Sequence, residues 1–92
     1  MPTTTVILPP ALHKRADHQA RINVEGTTIR EIIEALERRF PGIRFNLCDE
    51  TGELRPYVNI FIERENIRYL QGLDTPIHTE GRIYILPSVA GG

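Results

Sequence analysis

The sequence predicts an α+β domain, a small mixed sheet with one main helix packed on one of its faces. Three observations predict it. Residues 29–40 carry a single apolar stripe at helical spacing. The segments YVNIFIE (57–63) and RIYIL (82–86) alternate with a period of two and are rich in β-branched and aromatic residues. Strand-like segments lie on both sides of the helix, so helix and sheet are segregated rather than alternating.

Taken in order, residues 4–8 (TTVIL) read as a short β-branched strand closed by Pro9 and Pro10. Residues 11–19 are polar, contain His13 and His18 and show no clean period, so they are expected in a loop. In residues 20–26, Ile22 and Val24 alternate with Arg21, Asn23 and Glu25, the pattern of a half-buried strand closed by Gly26. Thr28 and Glu31 then match a capping box, in which side chain and backbone satisfy each other's unpaired groups. Ile29, Ile32, Ile33, Leu36 and Phe40 form the helical stripe, and Pro41-Gly42 stops it.

Ile43, Phe45 and Leu47 alternate with polar residues, as an extended segment would, ahead of a turn at 49–53 around Gly52. Val58, Ile60 and Ile62 share one face of the strongest strand, and Tyr57, Asn59 and Phe61 share the other. Residues 63–66 are expected to turn, Ile67-Arg68-Tyr69 to form a short partner strand, and 70–80 to be irregular. In the last strand Ile83 and Ile85 face one way, Tyr84 and Leu86 the other. One helix covers only one face of such a sheet, and an open second face is tolerated. That open face would gather Phe61, Tyr84 and Leu86, and clustered exposed apolar groups mark a contact surface. A register slipped by one residue would instead bury Phe61 and Leu86.

Ninety-two residues with 40% apolar content make one small domain with a packed core. Eleven basic against twelve acidic residues give no global attraction to nucleic acid or to an anionic membrane. Arg38, Arg39 and Arg44 read as cations near a helix C-terminus. Cys48 is the only cysteine, which excludes an intrachain disulfide and a cysteine-based metal site. Residues 1–14 fit neither a signal peptide nor a membrane span, so the cytoplasm is the expected compartment.

The body of the chain offers no catalytic set. His13, His18 and His78 lack ligand spacing and read as solvated loop residues, so no metal is expected. Cys48, beside Asp49 and Glu50, reads as a partly buried, unactivated thiol. Asp49-Glu50 and residues 63–65 read as turn charges, and Arg64 and Arg68 as solvated cations. Outside the C-terminus the glycines are scattered singly, so no phosphate-cradling loop is built.

Residues 87–92 (PSVAGG) differ in kind. The α-carboxylate expected on Gly92 is ionised at neutral pH and is a poor electrophile unless activated, for example as an acyl-adenylate. Two glycines remove side chains, so a narrow channel accepts the backbone. Six extended residues beyond Leu86 reach at most roughly 20 Å. The expected division is a folded domain at 1–86 and a flexible tail at 87–92.

This order of elements, with VNIFIERENIR (58–68), GRIYILP (81–87) and VAGG (89–92), resembles the ubiquitin-like β-grasp sulfur carriers of the ThiS/MoaD family. Within it the segments are most similar to the CysO-type carriers of cysteine synthesis. The resemblance spans the chain, is sharpest in its last third and is vague from residue 11 to 19. It implies a β-grasp fold and a protein co-substrate rather than an enzyme, monomeric, with no bound cofactor. An E1-like activating enzyme would consume ATP to adenylate Gly92, and a sulfur donor would convert the adenylate to a thiocarboxylate. The acceptor would be an activated serine on a PLP-dependent cysteine synthase, and a JAMM-type metalloprotease would trim the product from the tail. Val89, Ala90 and Gly91 would thread into partner active sites, and Ile7, Phe61 and Leu86 would dock the activating enzyme. With Gly92 last in the sequence, no trimming is expected before activation. Three alternatives stay open: a molybdopterin synthase small subunit or thiamine-type carrier, a covalent protein modifier attached to lysines, and a β-grasp interaction module.

Overall fold

The computed structural model describes residues 3–77 and 81–87, with Pro87 described in its backbone alone. Five strands, β1 (Thr3–Ile7), β2 (Arg21–Glu25), β3 (Val58–Ile62), β4 (Glu65–Asn66) and β5 (Arg82–Pro87), form one sheet in the order β2-β1-β5-β3-β4. β1 and β5 are parallel, and the other neighbours are antiparallel. The helix α1 (Ile29–Arg39) lies on one face, and a second short helix, α2 (Ile43–Leu47), follows it. This is the sheet with one main helix on one face that the patterning predicts, and its strand pairing is mixed.

The alternation of each strand decides which side meets the helix. Val6, Ile22, Val24, Val58, Ile60, Ile83 and Ile85 are buried in one cluster with Ile29, Ile32, Ile33, Leu36 and Phe40. The N–H of Phe40 closes the end of α1 by donating to the Leu36 carbonyl at 2.8 Å.

At the start of α1 the predicted box is half met. The Thr28 hydroxyl accepts from the Glu31 N–H at 3.2 Å, but the Glu31 carboxylate accepts from the N–H and hydroxyl of Thr27, both at 2.8 Å. Thr27 offers two donors to one oxygen, which the Thr28 backbone alone does not.

Three expectations are corrected. Residues 43–47 are helical rather than extended: Ile43 and Leu47, four apart, are buried, whereas Phe45 is 61% exposed. Gly42 takes the left-handed φ of 100° that begins this helix. The Glu37 carboxylate then accepts from the Gly42 N–H (3.0 Å) and the Arg44 N–H (2.9 Å), capping α2 from α1. The loop expected at 11–19 contains a 3₁₀ helix, Pro10–Ala16, which buries Leu12 and Ala16 four residues apart. The partner of β3 is β4, while Ile67–Tyr69 is a 3₁₀ turn that buries Ile67. Its Arg68 guanidinium donates to the carbonyls of Arg55 (2.8 Å) and Val58 (2.7 Å), so this exposed cation also clamps the backbone. Within the stretch expected to be irregular, Gly72–Asp74 forms one further 3₁₀ turn, and residues 78–80 lie outside the described residues.

Candidate functional site

The sheet face turned away from α1 is where the predicted contact residues meet. Pairing register places Ile7 of β1 opposite Tyr84 of β5, and Tyr84 opposite Phe61 of β3. These three make a row across the middle of the sheet, each half-buried by its neighbours. Leu86, two residues on from Tyr84, is opposite Asn59 and is 45% exposed. The row and Leu86 therefore form an apolar patch on the half of β5 that runs out to Pro87. Tyr57, just before β3, is also half exposed.

Phe61 and Leu86 thus lie on the outer face, as their alternation required, Ile7 lies with them, and the slipped register is excluded. Tyr84 belongs with them and sits at the centre of the row. The resemblance omitted it as a docking residue, although its alternation with Leu86 signals the shared face. Val89, Ala90, Gly91 and Gly92, where the reactive tip is expected, lie outside the described residues, as does His78.

The other candidate residues that the structure describes have structural or solvent-exposed places. Among the described residues no group of His, Cys, Asp and Glu is placed to hold a metal. His13 Nε2 lies 3.1 Å from the Leu8 carbonyl, and His18 is exposed. Cys48 is buried, and burial is the first cause that pushes its thiol above the ordinary value. The neighbouring Asp49 adds to this, while Arg44 and Arg30 oppose it. An unactivated thiol was expected, but burial outweighs the carboxylate. Arg30 pairs with Asp74 at 3.1 Å, whose hydrogen bond raises the guanidinium's already high pKa and leaves both charges in solvent. What this face can do chemically is bind an apolar surface.

The pattern that defines the ThiS family matches residues 6–92. The chain belongs to the ThiS family. It is 36% identical to the sulfur carrier protein CysO of Mycobacterium tuberculosis over 90 residues, spanning 96% of this chain and 97% of that protein. Its fold is similar to a chain of the BexX/CysO complex from Amycolatopsis orientalis, with a TM-score of 0.90 and 31% identity, covering 97% of this chain and 99% of the other. It is also similar to the small archaeal modifier protein 1 of Methanosarcina acetivorans, with a TM-score of 0.82 and 30% identity, covering 100% and 98%. The β-grasp expectation agrees with these structural neighbours. The Mycobacterium protein carries the name of a carrier rather than of an enzyme, and the Amycolatopsis chain is seen in a complex of two proteins. Among the described residues no helix is long and apolar enough to cross a membrane.

Proposed function

We propose that this ThiS-family chain is a cytoplasmic sulfur carrier that works through Gly92 and serves cysteine biosynthesis. The observation that carries the reading is an apolar outer face ending at Leu86, just before the tail, in a chain 36% identical to CysO. An E1-like enzyme docks on Ile7, Phe61, Tyr84 and Leu86, and Val89, Ala90 and Gly91 lead Gly92 into its active site. There the Gly92 carboxylate attacks the α-phosphorus of ATP, pyrophosphate leaves, and an acyl-adenylate forms. Sulfide released by a sulfur donor then attacks the acyl carbon and AMP leaves, which yields the thiocarboxylate. The thiocarboxylate sulfur attacks the β-carbon of an activated serine held by a PLP-dependent cysteine synthase and the activating group leaves, which joins the new cysteine to the Gly92 acyl carbon. Hydrolysis of that link by a JAMM-type metalloprotease frees cysteine and restores the Gly92 carboxylate. The carrier supplies the nucleophile and its partners supply catalysis.

Intact-mass measurement of the protein from its native host tests this. The expected result is a fraction with sulfur in place of one C-terminal oxygen, lost on deletion of Gly92 without a change in the unfolding curve. Only unmodified mass would sink the reading. Similarity to an archaeal protein named a modifier favours a second reading, attachment to lysines, and lysine-linked conjugates without thiocarboxylate would put that reading in its place.

A further inference from the structure

β2 is an edge of the sheet, with β1 on one side and no strand on the other among the described residues. The Leu8 N–H donates to the Ala20 carbonyl at 2.9 Å, which sets the phase of the β1–β2 ladder. Antiparallel pairs alternate between bonded and non-bonded. Val6–Ile22 and Thr4–Val24 are therefore bonded pairs, and the backbone groups of Arg21, Asn23 and Glu25 aim away from β1. Consistent with this, the Asn23 carbonyl accepts from Arg39 Nη1 of α1 at 3.1 Å. An edge with outward N–H and C=O groups is a template for another strand, and a cation on it is a common guard.

The strand Arg21-Ile22-Asn23-Val24-Glu25 is its own antiparallel complement. Centred on Asn23, a second copy sets its Glu25 opposite Arg21, its Arg21 opposite Glu25, and its Val24 opposite Ile22. Arg21, Asn23 and Glu25 are exposed and Ile22 and Val24 buried, so charges meet on the outer face and apolar groups on the helix side. Neither Arg21 nor Glu25 forms an ion pair among the described residues. A groove of about 1160 Å³ between β2 and α1, lined in part by Asn23, Glu25, Ala35 and Arg39, leaves this edge accessible.

We propose that the β2 edge docks a second copy of this chain, β2 against β2 about Asn23, and that Arg39 holds the edge shut in the single chain. The two Arg39 guanidinium groups flank the symmetry axis, so each must release or share its Asn23 carbonyl, and their like charges oppose pairing. The outer-face patch stays uncovered. The two β5 strands lie five strand spacings apart, roughly 24 Å at about 4.8 Å each. A five-residue junction belongs with small, transient interfaces, so the expected monomer is the dilute state. The inference does not depend on the sulfur-carrier reading.

Sedimentation equilibrium of the full chain, from tens of micromolar to millimolar, tests it. Average mass should rise from 10.5 kDa toward twice that value with concentration. Arg39→Ala should tighten association several-fold. In that background Arg21→Glu or Glu25→Arg alone should weaken it about tenfold, by setting like charges opposite each other. Arg21→Glu combined with Glu25→Arg should restore it. Circular dichroism checks that each variant folds, which is expected because both positions are exposed. A single-chain mass at every concentration in both the parent and Arg39→Ala overturns the proposal. So does association that Arg39→Ala fails to tighten, that the single swaps leave unchanged, or that the double swap fails to restore.

Discussion

Leu86 is 45% exposed while its neighbour Ile85 is 2% exposed, so one step along β5 separates a contact residue from a core residue. The two positions should respond to substitution in opposite ways. Water already reaches Leu86, and a polar group there removes little from the fold, within about 0.5 kcal/mol for an exposed site. It does put a charge into the apolar surface proposed for docking, where a central contact is commonly worth about 2 kcal/mol or more. Leu86→Asp is thus expected to keep its urea midpoint and lose at least about tenfold in kcat/KM for ATP-dependent activation. Ile85→Ala leaves a void beneath the sheet and should cost about 2–5 kcal/mol. Pyrophosphate exchange with the activating enzyme, beside urea unfolding, reads both effects. If Leu86→Asp were activated as fast as the parent, the outer face would not be the docking surface.

At the scale of elements, the short helix α2 makes the sharpest test because the sequence supports two structures there. Ile43, Phe45 and Leu47 satisfy a strand's period of two, while Ile43 and Leu47 satisfy a helix's spacing of four. Five residues are too few to separate the periods; the choice is made by Glu37, which caps α2 from a different helix. In an extended segment all three apolar residues would share a face and cost alike when truncated. In the helix, Leu47→Ala should cost about 2–5 kcal/mol. Phe45→Ser should cost only about 0.5–1 kcal/mol, from the exposed stacking of Arg55, 4.8 Å above the ring. Equal losses in urea unfolding would contradict the helical assignment. The same physics explains what was legible elsewhere. α1 and the strands β1, β2, β3 and β5 read correctly because each repeats one period against one large core. The segments 10–16 and 65–69 did not, since one or two buried residues, such as Leu12 and Ala16, leave too little pattern. Outer-face membership of Phe61, Tyr84 and Leu86 followed from alternation and that of Ile7 only from the resemblance, but the central place of Tyr84 is a matter of register across three strands. Alternation within one strand carries no such information.

At the scale of the whole molecule, the titrating groups bound the pH range over which the fold holds its full stability. Glu31, Glu37 and Asp49 each accept hydrogen bonds from the fold, and each is held below its ordinary value. The first causes are the Thr27 N–H for Glu31, the Gly42 N–H for Glu37 and the Thr51 hydroxyl for Asp49. Between the folded value and the ordinary one, near 4.5 for Glu and 3.8 for Asp, the unfolded chain binds more protons than the native one. Stability from these bonds is therefore complete above the ordinary values and is lost as pH falls through the folded ones. Their exposure to solvent keeps each contribution modest. Cys48 acts in the opposite direction. Burial raises its thiol above the ordinary 9.0, so its contribution is complete below that value and is lost as pH rises through the folded one. Urea midpoints should accordingly be flat from about pH 5 to 8 and fall on both sides. Glu37→Gln should lower the plateau, because the α2 cap is weakened, and should flatten the acid limb. Cys48→Ala should flatten the alkaline limb without steepening the acid one. An acid limb unchanged by Glu37→Gln would mean that the cap seen between α1 and α2 contributes nothing to the folded state's proton balance.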